Sequence, residues 1–589
     1  MLFPRESETR EVKDLSGIWN FKADVKGEGH KKNWQKRPLT KTQPMPVPSS
    51  YNDITQDAKL RDHVGEVWYD REFFVPASWA DKRVVIRVGS ACHKSVLFVN
   101  GQEVARYKGG YLPYEADVTD VVAFDKANRV TVSIDNILDE TTLPPGKIKT
   151  IDDRKGNKIE VQDIQHDFFN YSGIHRPVRI YSTPKRYIDD ITVVTDTRGD
   201  TGIVKYEVDV KGRGNKDVAV RLLDAKGKEV AAAEGDKGKL TVENAKLWQP
   251  GKAYLYKLEV DLNDGEDVYR LPVGIRTIKL RGNKFLINGE PFYFQGFGKH
   301  EDMDIKGKGL DHAIIVKDFN LMKWIGANSF RTSHYPYSEE LMNFADEQGF
   351  VVIDESPAVG LYMFKKSQDI FTKDFLKPIL DHHVQMMKDL VARDKNHPCV
   401  VMWSIANEAA SQQEPFGPYF KKVADVTRKA DPQDRPLTMA LHTWFDNDLA
   451  APYLDVLCIN RYWGWYGNPG QLDTIEGRGE WELKQWYKHQ KKPIILSEYG
   501  ADTIPGMHHD PPVIFTEEYQ CEMIKRINNV LDRLPFVIGE HIWNFADFMT
   551  KQGISRVGGN KKGVFTRQRQ PKTVAHMVRK RWTGEDLFS

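Results

Sequence analysis

One alternation constrains this chain more than any other feature. From about residue 279 onward, short apolar runs take turns with longer stretches of helical periodicity. The runs are Phe292-Tyr293-Phe294, Asn328-Ser329-Phe330, Val351-Val352-Ile353, Val400 to Ser404, Leu437 to Ala440, Val456 to Ile459, Ile494 to Leu496 and Val537 to Trp543. A strand followed by a helix and then another strand favours parallel pairing, because the crossover returns the chain to the same end of the sheet. Eight such units over roughly 310 residues predict a (β/α)8 TIM barrel. A doubly wound sheet would carry a glycine-rich phosphate turn early in the domain. Gly296-Phe297-Gly298 comes nearest and lacks the third glycine.

The chain ahead of residue 279 follows a period of two. Val67-Trp68-Tyr69, Arg83 to Val88, Val96 to Val99 and Val130 to Ile134 are short β-branched and aromatic runs separated by Gly, Pro, Asn and Asp. Asn100-Gly101 after an apolar run is a strong hairpin signal. Turn signals about every ten residues suggest a jelly-roll sandwich over 1–184. A second alternating region, with Val204 to Val210 and Tyr254 to Val260, fits an immunoglobulin-like sandwich over 185–277, leaving 278–589 for the barrel. The charged turns Lys211-Gly212-Arg213-Gly214 and Asp236-Lys237-Gly238 read as solvated hairpin tips.

Composition removes several classes of function. The 589 residues hold 85 Lys+Arg against 83 Asp+Glu, a formal charge of +2, so no global field draws in nucleic acid or an anionic membrane. No apolar run approaches the roughly 18 residues of a membrane-spanning helix. Cys92, Cys399, Cys458 and Cys521 lack the spacing of a disulfide framework or zinc site. Arg5, Glu6, Glu8, Arg10 and Glu11 stand where a signal peptide would be apolar, so a cytoplasmic or already processed protein is expected. The sequon Asn170-Tyr171-Ser172 is short enough to be a chance match. His300-Glu301-Asp302-Met303-Asp304, His382-His383 and His508-His509 lack metal-ligand spacing and read as surface or rim residues, so no metal and no cofactor is expected. Nucleotide-binding and acyl-transfer signatures are absent.

Barrel chemistry sits at the C-terminal ends of strands. Those ends read Gly296 to Glu301, Arg331-Thr332-Ser333-His334, Asp354-Glu355, Asn407-Glu408, Asn460-Arg461-Tyr462, Glu498-Tyr499-Gly500 and Trp543-Asn544. A barrel interior has no need of so many polar groups on one rim, since each costs free energy if buried unpaired. Glu408 and Glu498 are the two carboxyl groups placed to flank one bond, which is what glycoside hydrolysis requires.

Val401-Met402-Trp403-Ser404-Ile405-Ala406-Asn407-Glu408 and Ile495-Leu496-Ser497-Glu498-Tyr499-Gly500 resemble the acid/base and nucleophile signatures of family 2 glycoside hydrolases. Trp543 to Phe548 and the Asn-x-Lys in Gly558-Gly559-Asn560-Lys561-Lys562-Gly563 resemble the β-glucuronidase branch. The resemblance extends to Trp68-Tyr69-Asp70-Arg71, His166 to Tyr171 and Arg393 to Pro398, and so covers essentially the whole chain. It implies a retaining mechanism with Glu498 as nucleophile and Glu408 as acid and base, their carboxyl groups roughly 5–5.5 Å apart. The charge of Glu498 is expected to raise Glu408.

The same resemblance implies that Lys562 and Asn560 bind the substrate carboxylate, with Tyr466 on it and Arg556 close by. Asn407 would bind the sugar 2-OH, and Tyr462 would contact Glu498. Asp167 and His334 would bind sugar hydroxyls, and Trp543 would floor the ring. It also implies a homotetramer. Alternatives at this level are another family 2 glycosidase, such as a β-galacturonidase, β-galactosidase or β-mannosidase, and a non-catalytic carbohydrate-binding relative. Three departures stand out. Ala409-Ala410 replaces the usual proline after Glu408, which points to a looser loop. Trp463 stands where tyrosine is frequent, and a short segment between Gly360 and His382 points to an open mouth.

Overall fold

The computed structural model describes residues 1–363 and 373–585. Two antiparallel sheets form the first sandwich. One orders Glu11–Asp14, Gly173–Thr183, Arg83–Cys92 and Tyr114–Asp117; the other runs Gln43–Val47, Gly17–Ala23, Glu66–Phe73, Asn128–Asp135, Lys94–Val99 and Gln102–Lys108. Their inward faces bury Trp19, Phe21, Tyr69, Ile86, Leu97 and Ile180 in one core. The expected hairpin is present: Asn100 and Gly101 take φ of 52° and 83°, and Val99 pairs with Gln102.

A second sandwich packs Tyr187–Arg198, Thr201–Lys211 and Lys237–Val242 against a sheet of Glu229–Glu234, Val218–Leu223, Tyr256–Leu262 and Asp267–Val273. Here the two charged turns differ from expectation. Each joins a strand of one sheet to a strand of the other, Lys211 to Val218 and Glu234 to Lys237, so they are sheet-to-sheet crossings rather than hairpin tips. A solvated turn has the same composition in either place, so residue types alone do not separate the two.

Eight parallel strands then close a barrel: β1 (Phe294–Gly298), β2 (Ser329–Arg331), β3 (Val351–Glu355), β4 (Val400–Asn407), β5 (Leu437–Leu441), β6 (Leu457–Asn460), β7 (Ile494–Glu498) and β8 (Val537–Ile542). Among the described residues, α-helices follow every strand except β5, where Ala451–Tyr453 forms a single 3-10 turn before β6. The first strand starts later than its apolar pattern suggests. Gly296-Phe297-Gly298 belongs to the strand itself, because a Cβ on Gly296 would stand 1.8 Å from the Ser329 carbonyl oxygen and one on Gly298 would stand 2.5 Å from the Trp543 ring. Both glycines are packing requirements, one for the neighbouring strand and one for an aromatic ring at the barrel mouth. Among the described residues no helix is long and apolar enough to cross a membrane.

Trp403 on β4 is 0% exposed, and the Arg435 guanidinium lies 4.7 Å from its ring centroid. It does not line the cavity at the barrel mouth. Trp403→Ala should destabilise the protein by about 3–5 kcal/mol, read as a lower urea midpoint by circular dichroism; an unchanged midpoint would mean that the site collapses without a cavity.

Candidate active site

The C-terminal ends of the barrel strands open into a cleft of about 770 Å³. Glu498 is the last residue of β7, and Glu408 follows β4 directly with φ of 50°, a left-handed turn that swings its side chain off the strand. The Glu408 amide donates to the Ala440 carbonyl at 2.9 Å, which ties this turn to β5. Both carboxyl groups line the cleft, together with Asp167, His334, Asn407, Tyr462, Tyr466, Trp543 and Arg556.

The two glutamates have different partners. One oxygen of Glu498 accepts from Arg331 Nη2 and the other from the Tyr462 hydroxyl at 2.7 Å; His334 Nε2 lies 3.7 Å away. Glu408 accepts from Asn460 Nδ2 at 3.0 Å, and Ser497 Oγ donates at 2.8 Å to the Asn460 carbonyl oxygen. Burial pushes both carboxyl groups above their ordinary 4.5. For Glu498, Arg331 and His334 pull back toward the charged form. Glu408 is opposed by its amide partner and more distant cations, while the Asp167 carboxylate adds to the rise. Of the pair, Glu498 is the one that a guanidinium holds directly, while Glu408 has an amide as its hydrogen-bond partner. The expected cause of the rise in Glu408 is the charge of Glu498; in the folded protein burial leads instead.

Arg331 was read as a strand-end residue with no role, and it organises the site. Its Nη1 reaches both oxygens of Glu355 at 2.7 Å, and Arg331 and Glu355 are each 0% exposed. Glu355 also accepts from Ser404 Oγ at 2.7 Å and faces His334 Nδ1 at 2.9 Å. Burial would raise Glu355, yet Arg331 brings it below the ordinary carboxylate value. The Asn407 carbonyl oxygen takes Arg331 Nη1 at 3.3 Å and Asn460 Nδ2 at 3.2 Å. Its side-chain Nδ2 has no acceptor among the described residues, whereas its backbone N–H donates to the Ala358 carbonyl at 3.0 Å. His334 stacks on Trp543 with centroids 4.9 Å apart and planes 24° apart.

A second cluster lies beside the glutamates. Arg556 donates to both oxygens of Asp167 at 3.0 and 2.6 Å, to Asp502 at 3.0 Å and to the Tyr466 hydroxyl at 2.6 Å. Asn560 Nδ2 reaches Asp167 at 3.0 Å. Lys562 Nζ pairs with Asp502 and donates to the Tyr466 hydroxyl at 3.0 Å. Asn560 is bridged to Phe548, and its side-chain oxygen accepts from Lys562 N at 3.0 Å. Asn560 and Lys562 do not themselves line the cleft; Asp167, Tyr466 and Arg556 form the wall in front of them. Asp502, which the sequence reading missed, had one signal: it lies four residues past Glu498 on the loop after β7.

Several further expectations change. The loop after Glu408 is tied down rather than loose: Ala409 and Ala410 are buried, Ala410 N donates to Leu361 O at 2.9 Å, and Ser411 Oγ holds Asp448 at 2.6 Å. Trp463 lines the cleft and donates to Glu482 at 3.0 Å. His383 is buried against Tyr419 and the Ile405 carbonyl rather than on the surface or rim, whereas His300 lies at the rim but is buried, facing Tyr335 and packed against His334 and Trp543. Asp346, His397 and Cys399 bring ligand-type atoms together, but Asp346 already accepts from Cys399 N at 2.9 Å and meets His397 Nδ1 at 2.5 Å. The segment expected to leave the mouth open includes 364–372, outside the described residues.

The chain matches "Glycosyl hydrolases family 2, sugar binding domain" over 12–184, "Glycosyl hydrolases family 2" over 186–276 and "Glycosyl hydrolases family 2, TIM barrel domain" over 278–586. It is 56% identical over 588 residues to a β-glucuronidase of Paenibacillus borealis, covering 99% of this chain and 98% of that one. It is 50% identical over 605 residues to a β-glucuronidase of Rattus norvegicus, covering 99% and 92%. Among solved structures, the β-D-glucuronidase of Dictyoglomus thermophilum superposes with a TM-score of 0.94 at 51% identity, covering 99% of each chain. The Ruminococcus gnavus β-glucuronidase in complex with D-glucuronic acid superposes with a TM-score of 0.94 at 41% identity, again over 99% of each chain.

Arg331→Met leaves Glu355 and Glu498 buried without their cation and should cost about 3–5 kcal/mol at neutral pH. Because Arg331 depresses Glu355, its contribution is present above the unfolded value of 4.5 and is lost as pH falls through the lower folded value. The stability gap between wild type and variant should therefore narrow in acid. Urea midpoints at neutral and acid pH test this, and a gap that widens in acid would contradict it.

Proposed function

The chain belongs to the family 2 glycosyl hydrolases, and on that premise we propose that Glu498 is the nucleophile and Glu408 the acid and base of a retaining β-glucuronidase. Its reaction is the hydrolysis of β-D-glucuronides to glucuronate and the freed alcohol. The observation that carries the assignment of roles is the asymmetry between the two carboxyl groups, one held by a guanidinium and a phenol, the other by a single amide.

Glu498 attacks the anomeric carbon while Glu408 gives its proton to the leaving oxygen, forming a glycosyl-enzyme. Forming that ester neutralises Glu498, and Glu408, now ionised, takes a proton from the water that releases the sugar. Asn407 offers its amide nitrogen to the sugar 2-OH, a bond that strengthens as the ring gains oxocarbenium character. Trp543, with His334 stacked on it, forms the floor beneath the ring. The sugar carboxylate enters the corner of Arg556, Tyr466, Asn560 and Lys562, and Asp167 exchanges its hold on these donors for the sugar hydroxyls. Burying a carboxylate requires a cation and several N–H or O–H donors, and this corner holds both.

The proposal extends to the whole chain: a jelly-roll over 1–184, an immunoglobulin-like sandwich over 185–277 and the catalytic barrel over 278–589, assembled as a homotetramer. A cytoplasmic location accords with Cys92, Cys399, Cys458 and Cys521, all free thiols.

Proton NMR of the first product should show β-glucuronate before mutarotation, and release of the α-anomer would sink the mechanism. Lys562→Ala should lower kcat/KM for an aryl glucuronide by roughly two orders of magnitude while sparing an aryl glucoside; equal losses would remove the specificity argument. Asn460 holds Glu408 down, so Asn460→Ala should raise Glu408 further and move the alkaline limb of kcat/KM to higher pH. An alkaline limb that stays in place or moves to lower pH would assign that limb to another group.

A further inference from the structure

The corner assigned to the sugar carboxylate holds as many anions as cations. Lys562 and Arg556 face Asp502 and Asp167, so before substrate arrives the corner is neutral. An anion receptor working by bare attraction would leave its cations unanswered. The two carboxylates differ in setting. The Asp167 side chain is 44% exposed at the cleft wall and can trade partners when a substrate enters. That of Asp502 is 2% exposed, and both of its oxygens are engaged: one takes Lys561 N at 2.7 Å, the other takes Lys562 Nζ and, at 3.0 Å, Arg556 Nη1.

Lys562 is fully buried behind the cleft wall. Its side chain is 0% exposed, and the rings of Tyr466, Trp465 and Tyr462 lie 4.8, 5.2 and 5.6 Å from Nζ. Besides Asp502, the polar contact of Nζ is the Tyr466 hydroxyl. A flexible four-carbon stem ending in a compact charge is not rigid by itself, unlike the planar fork of arginine. The Asp502 carboxylate therefore fixes where that charge sits, and because it also takes Arg556 it fixes the distance between the two cations.

We infer that Asp502 is the positioning residue of the uronate subsite, holding Lys562 and Arg556 at the spacing that a sugar carboxylate bridges, so that this anion is required for binding an anionic substrate. The inference rests on the assignment of Lys562, Asn560 and Arg556 to the substrate carboxylate. Its consequence runs against simple electrostatics. Removing the negative charge of Asp502 makes the corner more positive, yet an asparagine there has one acceptor oxygen where Asp502 has two, so it cannot take Lys561 N and also hold Lys562 Nζ and Arg556 as the carboxylate does. The ammonium then shifts from the place that the uronate needs.

The test compares wild type, Asp502→Asn, Lys562→Ala and the double variant on an aryl β-D-glucuronide and the matching β-D-glucoside. For Asp502→Asn we expect KM for the glucuronide to rise on the order of tenfold to a hundredfold, with kcat falling much less and KM for the glucoside unchanged. In the Lys562→Ala background the same substitution should add far less, because the cation that it positions is gone. Unchanged melting and retained glucoside turnover report that the variant folds; if it does not fold, Asp502→Ser takes its place in the same comparison. An Asp502→Asn enzyme that binds glucuronide as well as or better than wild type overturns the inference. So does an equal loss on both substrates, which would mark Asp502 as merely structural. If Lys562→Ala itself fails to separate glucuronide from glucoside, the subsite assignment falls and the inference falls with it.

Discussion

A buried guanidinium organises this active site. Arg331 is 0% exposed, ends a three-residue barrel strand, and is shared between Glu355 behind it and Glu498 in front. Removing three charged groups from water is costly, and the cost is recovered only when their hydrogen bonds are nearly all satisfied. That condition recruits the neighbours: Ser404 and His334 to Glu355, Tyr462 to Glu498, and the Asn407 carbonyl oxygen to Arg331 itself. They come from three strands, Ser404 and Asn407 from β4, His334 from the loop after β2 and Tyr462 from the loop after β6, so the ion network and the barrel closure specify one another. A carboxylate held in this way is already oriented toward the cleft, as the nucleophile role proposed for Glu498 requires.

The barrel does not complete the site alone. Asp167 comes from the first sandwich, just after a two-stranded arm formed by Gly146–Asp152 and Lys158–Ile164. It lands between Arg556 and Asn560 of the loop after β8. The seam behind it is fastened by buried and half-buried ion pairs, Arg176 with Glu301 and Arg567 with Asp53 and Asp302, and by Phe168 packed between His300 and Tyr335. With a carboxylate delivered from another domain, the cleft wall depends on how the two bodies are fixed together. On this account the leading sandwich does more than stabilise the chain.

Residues whose role follows from a local pattern were legible in the sequence. Glu408 and Glu498 sit at strand ends that alternation alone locates, and Asn100-Gly101 makes the hairpin its φ preferences require. Residues whose role depends on a distant partner were not. Arg331 reads as one strand end among several, and Asp502 as one acid among 83. Their parts appear only when Arg331 meets Glu355 and Glu498, 24 and 167 residues away, and Asp502 meets Lys562, 60 away. The cause of the raised Glu408 was misjudged for the same reason, since burial is a property of everything packed around a group.

Taken alone, the sequence determined the order of the three architectures, the barrel class, the two reacting carboxyl groups and the anion-binding Asn-x-Lys segment as expectations, because periodicity and strand-end position are short-range features of a chain. Tertiary structure alone decided which carboxyl group is held by a cation, that Lys562 and Arg556 are paired with Asp502 and Asp167, and that a glycine in β1 leaves room for the Trp543 ring. Coulomb interactions and packing act through distance in space, and distance in space is what folding adds to the order of residues along the chain.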